Sequence, residues 1–198
     1  MSVNAYLSAG EQTRLERALV GIAGAGGLGS NVAAHLVRAG VRRFVIADFD
    51  VVSASNLNRQ FFFRDQVGRR KTSALAENLR RIEPDLDLTL HDARLDASNL
   101  RPIFGMCDVV VEAFDNIESK SALLSSLRDK TVVSASGLAG WGRSNEMKVR
   151  RVGRNLVLVG DCASDIRSGL APQSARVGIA AAMQANAVLA LLLGVAEL

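Results

Sequence analysis

The feature that most limits what this chain can become is the run "ALVGIAGAGGLGSNVAAHLVRAG", residues 18–40. Its opening, 19–23, is apolar and strand-like, while 31–40 carries apolar residues at helical spacing and stops on Gly40. Between them Gly24, Gly26 and Gly29 satisfy G-x-G-x-x-G, with Gly27 inside the same turn. Glycine serves three purposes there: a tight turn, a close approach of backbone to phosphate, and close packing of helix on strand. The first amides of the following helix then face negative charge. The alternative is a structural turn with no ligand. The second strand, in "RFVIADFD" (43–50), ends on Asp48, where an acid can hold ribose hydroxyls.

The rest of the chain repeats the alternation. An amphipathic helix fits 11–18, and "KTSALAENLRRIEP" (71–84) is a helix whose end is set by Pro84. "DLTLHDARL" (87–95) alternates like a third strand, and "NLRPIFGM" (99–106) suits a short helix. "CDVVVEAFD" (107–115) reads as a central strand, "NIESKSALLSSLRDK" (116–130) as a helix and "TVVSASG" (131–137) as another strand. Segments 143–152 and 155–161 read as an antiparallel hairpin around Gly153 and Arg154, before a last helix. The expected fold is therefore α/β: a Rossmann-like, doubly wound, mostly parallel sheet with an antiparallel C-terminal hairpin and a closing helix. We read 1–198 as one domain.

Composition narrows the class. Hydrophobic residues make up 48% and charged residues 22%, the balance of a soluble globular protein. Two cysteines, Cys107 and Cys162, cannot build a four-thiolate zinc site and argue against a disulfide framework; a reducing cytoplasm is the expected location. Residues 1–19 lack the apolar core of a signal peptide. The apolar stretch 177–195 is broken by Gln184 and Asn186, so a packed helix is expected there and not a membrane span. The net charge of +4 fits either a solvated basic surface or an anionic partner, such as nucleotide phosphates or an acidic protein. With aromatic residues at 5%, no nucleic-acid platform is indicated.

A polar stretch, "DFDVVSASNLNRQ" (48–60), crowds hydrogen-bonding groups just past a buried strand. The segments "GAGGLGS" (24–30), "DFD" (48–50), "SNLNRQ" (55–60), "VGRRK" (67–71) and "FDN" (114–116) follow in order. Together, over roughly residues 18–140, they resemble the ThiF/MoeB family, relatives of the ubiquitin-activating enzymes. The ending "GLAPQSARVGIAAAMQANAVLALLLG" (169–194) and the short length resemble a compact branch that activates the thiamine sulfur carrier.

The resemblance implies an adenylyltransferase, a nucleotidyltransferase that uses ATP and magnesium to activate the C-terminal glycine of a small ubiquitin-like carrier ending in Gly-Gly. Attack of one anion on another needs fixed positive charge, which Arg59 and Lys71 supply. Asp115 is the expected Mg²⁺ ligand and, with Arg59 and Lys71, completes the catalytic set. The nucleotide site would comprise Gly24, Gly26, Gly27, Gly29, Asp48, Asp50, Ser55, Asn56, Leu57, Asn58, Arg59, Lys71, Asp115 and Asn116. Asn56 and Asn58 are expected on phosphate or ribose oxygens, and Asp50 on the metal or the loop. Each has a plainer reading: Arg59 and Lys71 as surface cations, Asp48 and Asp50 as turn formers, and Asp115 and Asn116 as a helix cap. Phe61, Phe62 and Phe63 are expected to anchor the loop, and His35 and His91 to be structural.

The chain also departs from that family's pattern. It has no Cys-x-x-Cys pairs, so no structural zinc is expected, and the 141–161 hairpin is the candidate to hold the C-terminal part instead. The N-terminal arginine that reaches a partner subunit's phosphates has no counterpart in its usual motif; Arg14 and Arg17 are the possible substitutes in an expected homodimer. Cys162, in the crossover segment "GDCASDIRSGLAP" (160–172), is the one candidate thiol for sulfur or acyl transfer, whereas Cys107 reads as a small buried hydrophobe. Other functions that the residues leave open are a molybdopterin-type carrier, a base on transfer RNA, a non-catalytic binding module and an NAD-dependent oxidoreductase. The last gives no reason for Arg59 and Lys71. No membrane partner is expected, and nucleic acid is disfavoured.

Overall fold

The computed structural model describes residues 6–164 and 169–195. The chain runs α1 (Ala9–Arg17), β1 (Leu19–Ala23), α2 (Gly27–Ala39), β2 (Arg43–Ala47), α3 (Lys71–Arg80) and β3 (Asp87–His91). It continues through α4 (Leu100–Phe104), β4 (Val109–Glu112), α5 (Ile117–Ser126), β5 (Thr131–Ala135), β6 (Lys148–Val152), β7 (Leu156–Gly160) and α6 (Ser174–Leu193). Part of the crossover segment, 165–168, lies outside the described residues.

The described strands form one seven-stranded sheet in the order β3-β2-β1-β4-β5-β7-β6. All neighbours pair in parallel except β6 with β7. The inner strands β1, β2, β4 and β5 are nearly continuous apolar runs, as burial on both faces demands. Val20, Ile22, Ile46, Val111 and Val133 pack on one face with α2, α3 and α6. Val45, Val110 and Val132 pack on the other with Leu100, Phe104, Leu123 and Leu127 of α4, α5 and the turn that follows it. Edge strand β6 carries Lys148, Arg150 and Arg151, charges that discourage a further strand from pairing there.

Several boundaries differ from the sequence expectation. The first helix spans Ala9–Arg17 and not 11–18, because Ser8 and Glu11 cap each other reciprocally and start it earlier. The hairpin's first strand begins at Lys148, since Ser144–Glu146 is a 3-10 turn entered through Arg143 in the left-handed region, φ 50°. The helix begun at Lys71 ends at Arg80, four residues short of Pro84.

The apolar helix α6 has the length and composition of a membrane span, with a mean hydropathy of 1.6. In this fold it packs on α2, burying Val177, Ala180, Ala181, Ala185 and Val188. Its buried Gln184 anchors it: the side-chain amide donates to the carbonyls of Glu112 and Val133 at 3.2 and 3.1 Å, pinning α6 to β4 and β5. Asn186 is exposed.

Candidate functional site

Strand order reverses between β1 and β4, and open α/β sheets take ligands in the crevice beyond such a switch point, at the carboxyl ends of the strands. The glycine turn lies there. Gly24 has φ +100°, and a Cβ on it would come within 3.0 Å of the Ala113 carbonyl beyond β4. A Cβ on Gly29 would sit 1.8 Å from the Gly24 carbonyl, so the turn closes only with glycine at that position. The first turn of α2 has neither a side-chain cap nor an acidic residue, which leaves its amides open to an anion.

Asp48 fixes the turn from β2. Its Oδ2 accepts the Ala25 N–H at 2.7 Å and its Oδ1 the Asp50 N–H at 2.8 Å. Each oxygen keeps a further lone pair, so a ribose hydroxyl fits as an additional donor. Asp50 in turn holds the Lys71 ammonium at 2.7 Å. The lysine side chain is 7% exposed and that of Asp50 47%. Lys71 is thus a largely buried cation and not a solvated helix-start residue. Among the described residues, two of its three donors have no other partner.

Arg59 is stitched to α2 through its backbone. The Asn31 amide donates to the carbonyls of Gly27 and Arg59 at 2.6 and 2.9 Å. One step on, the Phe61 N–H donates to the Ser30 hydroxyl at 3.0 Å, and that hydroxyl donates to the Gly26 carbonyl at 2.6 Å. The Arg59 stem would contact a Cβ on Gly27 at 3.5 Å. Its Nη1 donates to Asn58 Oδ1 at 2.7 Å, and among the described residues Nη2 and Nε have no hydrogen bond. A guanidinium fork held this way suits a phosphate.

Other expected residues hold the loop. Asn56 accepts the Ser53 N–H at 3.1 Å, Ser55 pairs with the Ser53 hydroxyl at 2.9 Å, and Leu57 packs against the core. Asn58 reaches the Pro172 carbonyl at 3.5 Å. Phe62 is buried, Phe61 packs against the core, and Phe63 is 45% exposed with Arg81 over its ring. Asn116 caps α5, accepting the Ser119 N–H at 2.8 Å, and Asp115 is exposed beside it. His35 is exposed on α2.

The remaining expectations part company. Arg14 donates to the Leu193 carbonyl at 3.1 Å and so caps the end of α6, whereas Arg17 is exposed. Burial pushes the Cys107 thiol up to about 12, as suits a buried apolar residue. Cys162 is exposed at φ 59°, with Arg150 Nη1 3.3 Å from its sulfur.

Several residues escaped the sequence reading. Gln60, beside Arg59, is buried near Gly26, and its Oε1 has no partner among the described residues. Asn31 was equally close, one residue past the glycine turn. Buried Glu112 and Ser134 form a cluster with partly buried Lys120, just before and after the turn that bears Asp115. Arg176 and Asp161 form an ion pair with both side chains 4% exposed, and Arg176 also donates to the Gly142 carbonyl. A cavity of about 250 Å³ adjoins this pair, lined in part by Trp141, Arg143 and Leu170.

A glycine turn at the switch point, an acid closing β2 and cations held beside it are the layout of a Rossmann-type α/β protein. The comparisons carry this further: residues 2–198 match the ThiF family, and the chain belongs to it. Among curated relatives it is 39% identical over 135 residues to the adenylyltransferase and sulfurtransferase MOCS3 of Caenorhabditis briggsae, covering 67% of this chain and 34% of that protein. It is 39% identical over 113 residues to the SAMP-activating enzyme E1 of Haloferax volcanii, covering 57% and 42%. The chain thus spans between a third and a half of the length of these relatives. By shape it matches the crystal structure of the E. coli tRNA N6-threonylcarbamoyladenosine dehydratase TcdA in complex with ATP. The TM-score is 0.88 at 20% identity, over 97% of this chain and 92% of that one, and this likeness speaks for the fold.

Proposed function

We propose that the protein adenylates the C-terminal glycine of a small ubiquitin-like sulfur carrier ending in Gly-Gly. The observation that carries the reading is the pair of cations at the strand ends: Lys71 held by Asp50 at 2.7 Å, and Arg59 stitched to the first turn of α2 through Asn31. Hydride transfer to NAD has no use for either. In adenylation a carboxylate oxygen of the carrier attacks the α-phosphorus of ATP. The bond from that phosphorus to the bridging oxygen breaks, pyrophosphate leaves, and an acyl-adenylate forms. Both reactants are anions, so pre-placed cations lower the barrier without reorganising.

In this reading the amides opening α2 face the phosphates, Asp48 takes the ribose, and Arg59 and Lys71 neutralise the reacting oxygens. Among the described residues no three carboxylate, histidine or cysteine side chains gather. Magnesium therefore fits here only as it commonly binds with nucleotides, through one carboxylate, Asp115, and the phosphates themselves. When bound it would neutralise charge on the departing pyrophosphate. The carrier tail would cross the strand ends towards the 250 Å³ cavity beside Trp141, where Arg176 Nε has no partner among the described residues.

The finer assignment is a ThiS-like carrier of thiamine synthesis, supported by the 169–194 ending. A homodimer belongs to the same reading, and sedimentation measures it directly. The test is intact-mass spectrometry of Gly-Gly-ending carriers incubated with the protein, ATP and Mg²⁺. We expect a carrier–AMP adduct, absent when the two glycines are deleted. No adduct on any carrier, ThiS-like or molybdopterin-type, would refute the reading.

A further inference from the structure

β4 is an apolar run, Val109, Val110 and Val111, that ends on a carboxylate, Glu112, with no solvent exposure. Burying a carboxylate is costly unless its oxygens are answered. Here each is answered twice. Oε1 accepts the Lys120 ammonium at 2.9 Å and the Phe114 N–H at 2.7 Å; Oε2 accepts Lys120 at 2.8 Å and the Ser134 hydroxyl. The third Lys120 donor goes to the Ala135 carbonyl at 3.0 Å. With Gln184 on the Glu112 carbonyl, the cluster joins β4, α5, β5 and α6.

Stability alone does not call for such a cluster, since apolar side chains of like volume often hold a core as well or better. What the carboxylate adds is an acceptor for the Phe114 N–H, which fixes the first step of the turn bearing Asp115. The same turn is held from the other side. The Ala113 N–H donates to the Ala23 carbonyl at 3.0 Å, and the Ala113 carbonyl oxygen lies 3.0 Å from where a Cβ on Gly24 would stand. Lys120 stands one helical turn past Asn116, with its N–H on the Asn116 carbonyl at 3.3 Å, so it ties the start of α5 to the same carboxylate.

We infer that Glu112, with Lys120 as its counter-charge, is a positioning residue that sets the turn 114–116 against the glycine turn and so presents the Asp115 carboxylate to the phosphate site. The inference rests on the adenylation reading above for the use made of Asp115.

Two double variants separate positioning from packing, since both remove the Glu112–Lys120 charge pair. Glu112→Gln with Lys120→Met keeps an acceptor for the Phe114 N–H; Glu112→Leu with Lys120→Met has none. The half-saturating metal concentration is read twice: for magnesium in carrier-dependent ATP–pyrophosphate exchange, and for manganese with ATP alone by water-proton relaxation. Asp115→Ala sets the floor of both. The Gln/Met variant should stay within about threefold of wild type, while the Leu/Met variant needs about 10–100-fold more metal, the usual effect of losing a support behind a metal ligand. KM for ATP should change little in either. Glu112→Asp, which keeps the charge but shortens the arm, carries the same expectation as Leu/Met and keeps the test open should Leu/Met not fold. Equal metal dependence in the folded variants would overturn the inference and leave a packing cluster. A wild type that binds manganese with ATP yet shows no exchange contradicts the adenylation reading instead, and the manganese comparison then decides the positioning.

Discussion

In the adenylation reading Lys71 and Arg59 would do the same electrostatic work from differently built seats. Lys71 is largely buried and anchored by a half-exposed Asp50, so Lys71→Ala leaves behind an acid that water can solvate. Arg59 is only partly buried and is held through its backbone. Both alanine variants should therefore stay folded, and exchange should fall by about 10²–10³ in kcat, the usual loss when one charge-stabilising donor is removed. Near-normal exchange in either would show that charge neutralisation is misassigned. The two cysteines separate as cleanly. Cys107 is buried with its thiol pushed up to about 12, while Cys162 is exposed. Brief iodoacetamide treatment at pH 8 should alkylate the native protein once, at Cys162, and the denatured protein twice, as read by mass spectrometry. At this scale the sequence showed the residues whose chemistry is announced by their setting, such as Asp48 at a strand end and Arg59 in a polar loop. Glu112 stayed hidden because a carboxylate closing an apolar strand looks like an ordinary exposed terminus. Its burial depends on Ser134 and Lys120, 22 and 8 residues further along the chain.

Among the elements, the turn from β1 into α2 tolerates least. A Cβ on Gly29 meets backbone, the Gly24 carbonyl at 1.8 Å, and backbone cannot swing aside as a side-chain tip can. Gly29→Ala should cost at least about 3 kcal/mol by overpacking. At about 2–4 °C per kcal/mol, that lowers the melting temperature by some ~6–12 °C. The start of α6 is secured differently, by Arg176 on Asp161 after β7. Burial works to raise the Asp161 carboxyl, but the N–H groups of Ser164 and Ala163 and the Arg176 guanidinium together hold it below the ordinary carboxylate range. A depressed carboxyl stabilises the fold above its unfolded pKa of about 4 and loses that stabilisation as pH falls towards the folded value. Stability should therefore decline on acidification below about pH 4, and Asp161→Asn should show a shallower decline. At pH 7 the variant should be weaker by about 3–5 kcal/mol, because Arg176 is left buried without its counter-charge. Chemical denaturation across pH reads both. Helix and strand existence was legible from periodicity. The start of α1 moved because a capping box outranked the apolar spacing, and the turn at 144–146 interrupted what alternation read as strand.

Across the whole molecule, alternation of apolar strands with amphipathic helices was enough to foresee a parallel, doubly covered sheet. It did not foresee that the later hairpin strand, β7, pairs with β5 while β6 takes the edge, since either strand of a hairpin can dock. The arrangement follows from burial: β7, Leu-Val-Leu-Val-Gly, belongs inside, and the basic β6 tolerates an edge. It also gathers the ends of β1, β2, β4, β5 and β7 on one side, so glycine turn, cations, Asp115 and the Trp141 cavity share a single rim. The measurement that tests this most directly is ATP–pyrophosphate exchange with and without a Gly-Gly-ending carrier. Exchange that needs the intact carrier and Mg²⁺, and that disappears in Lys71→Ala, is the result expected. ATP binding with no exchange under any carrier would contradict it.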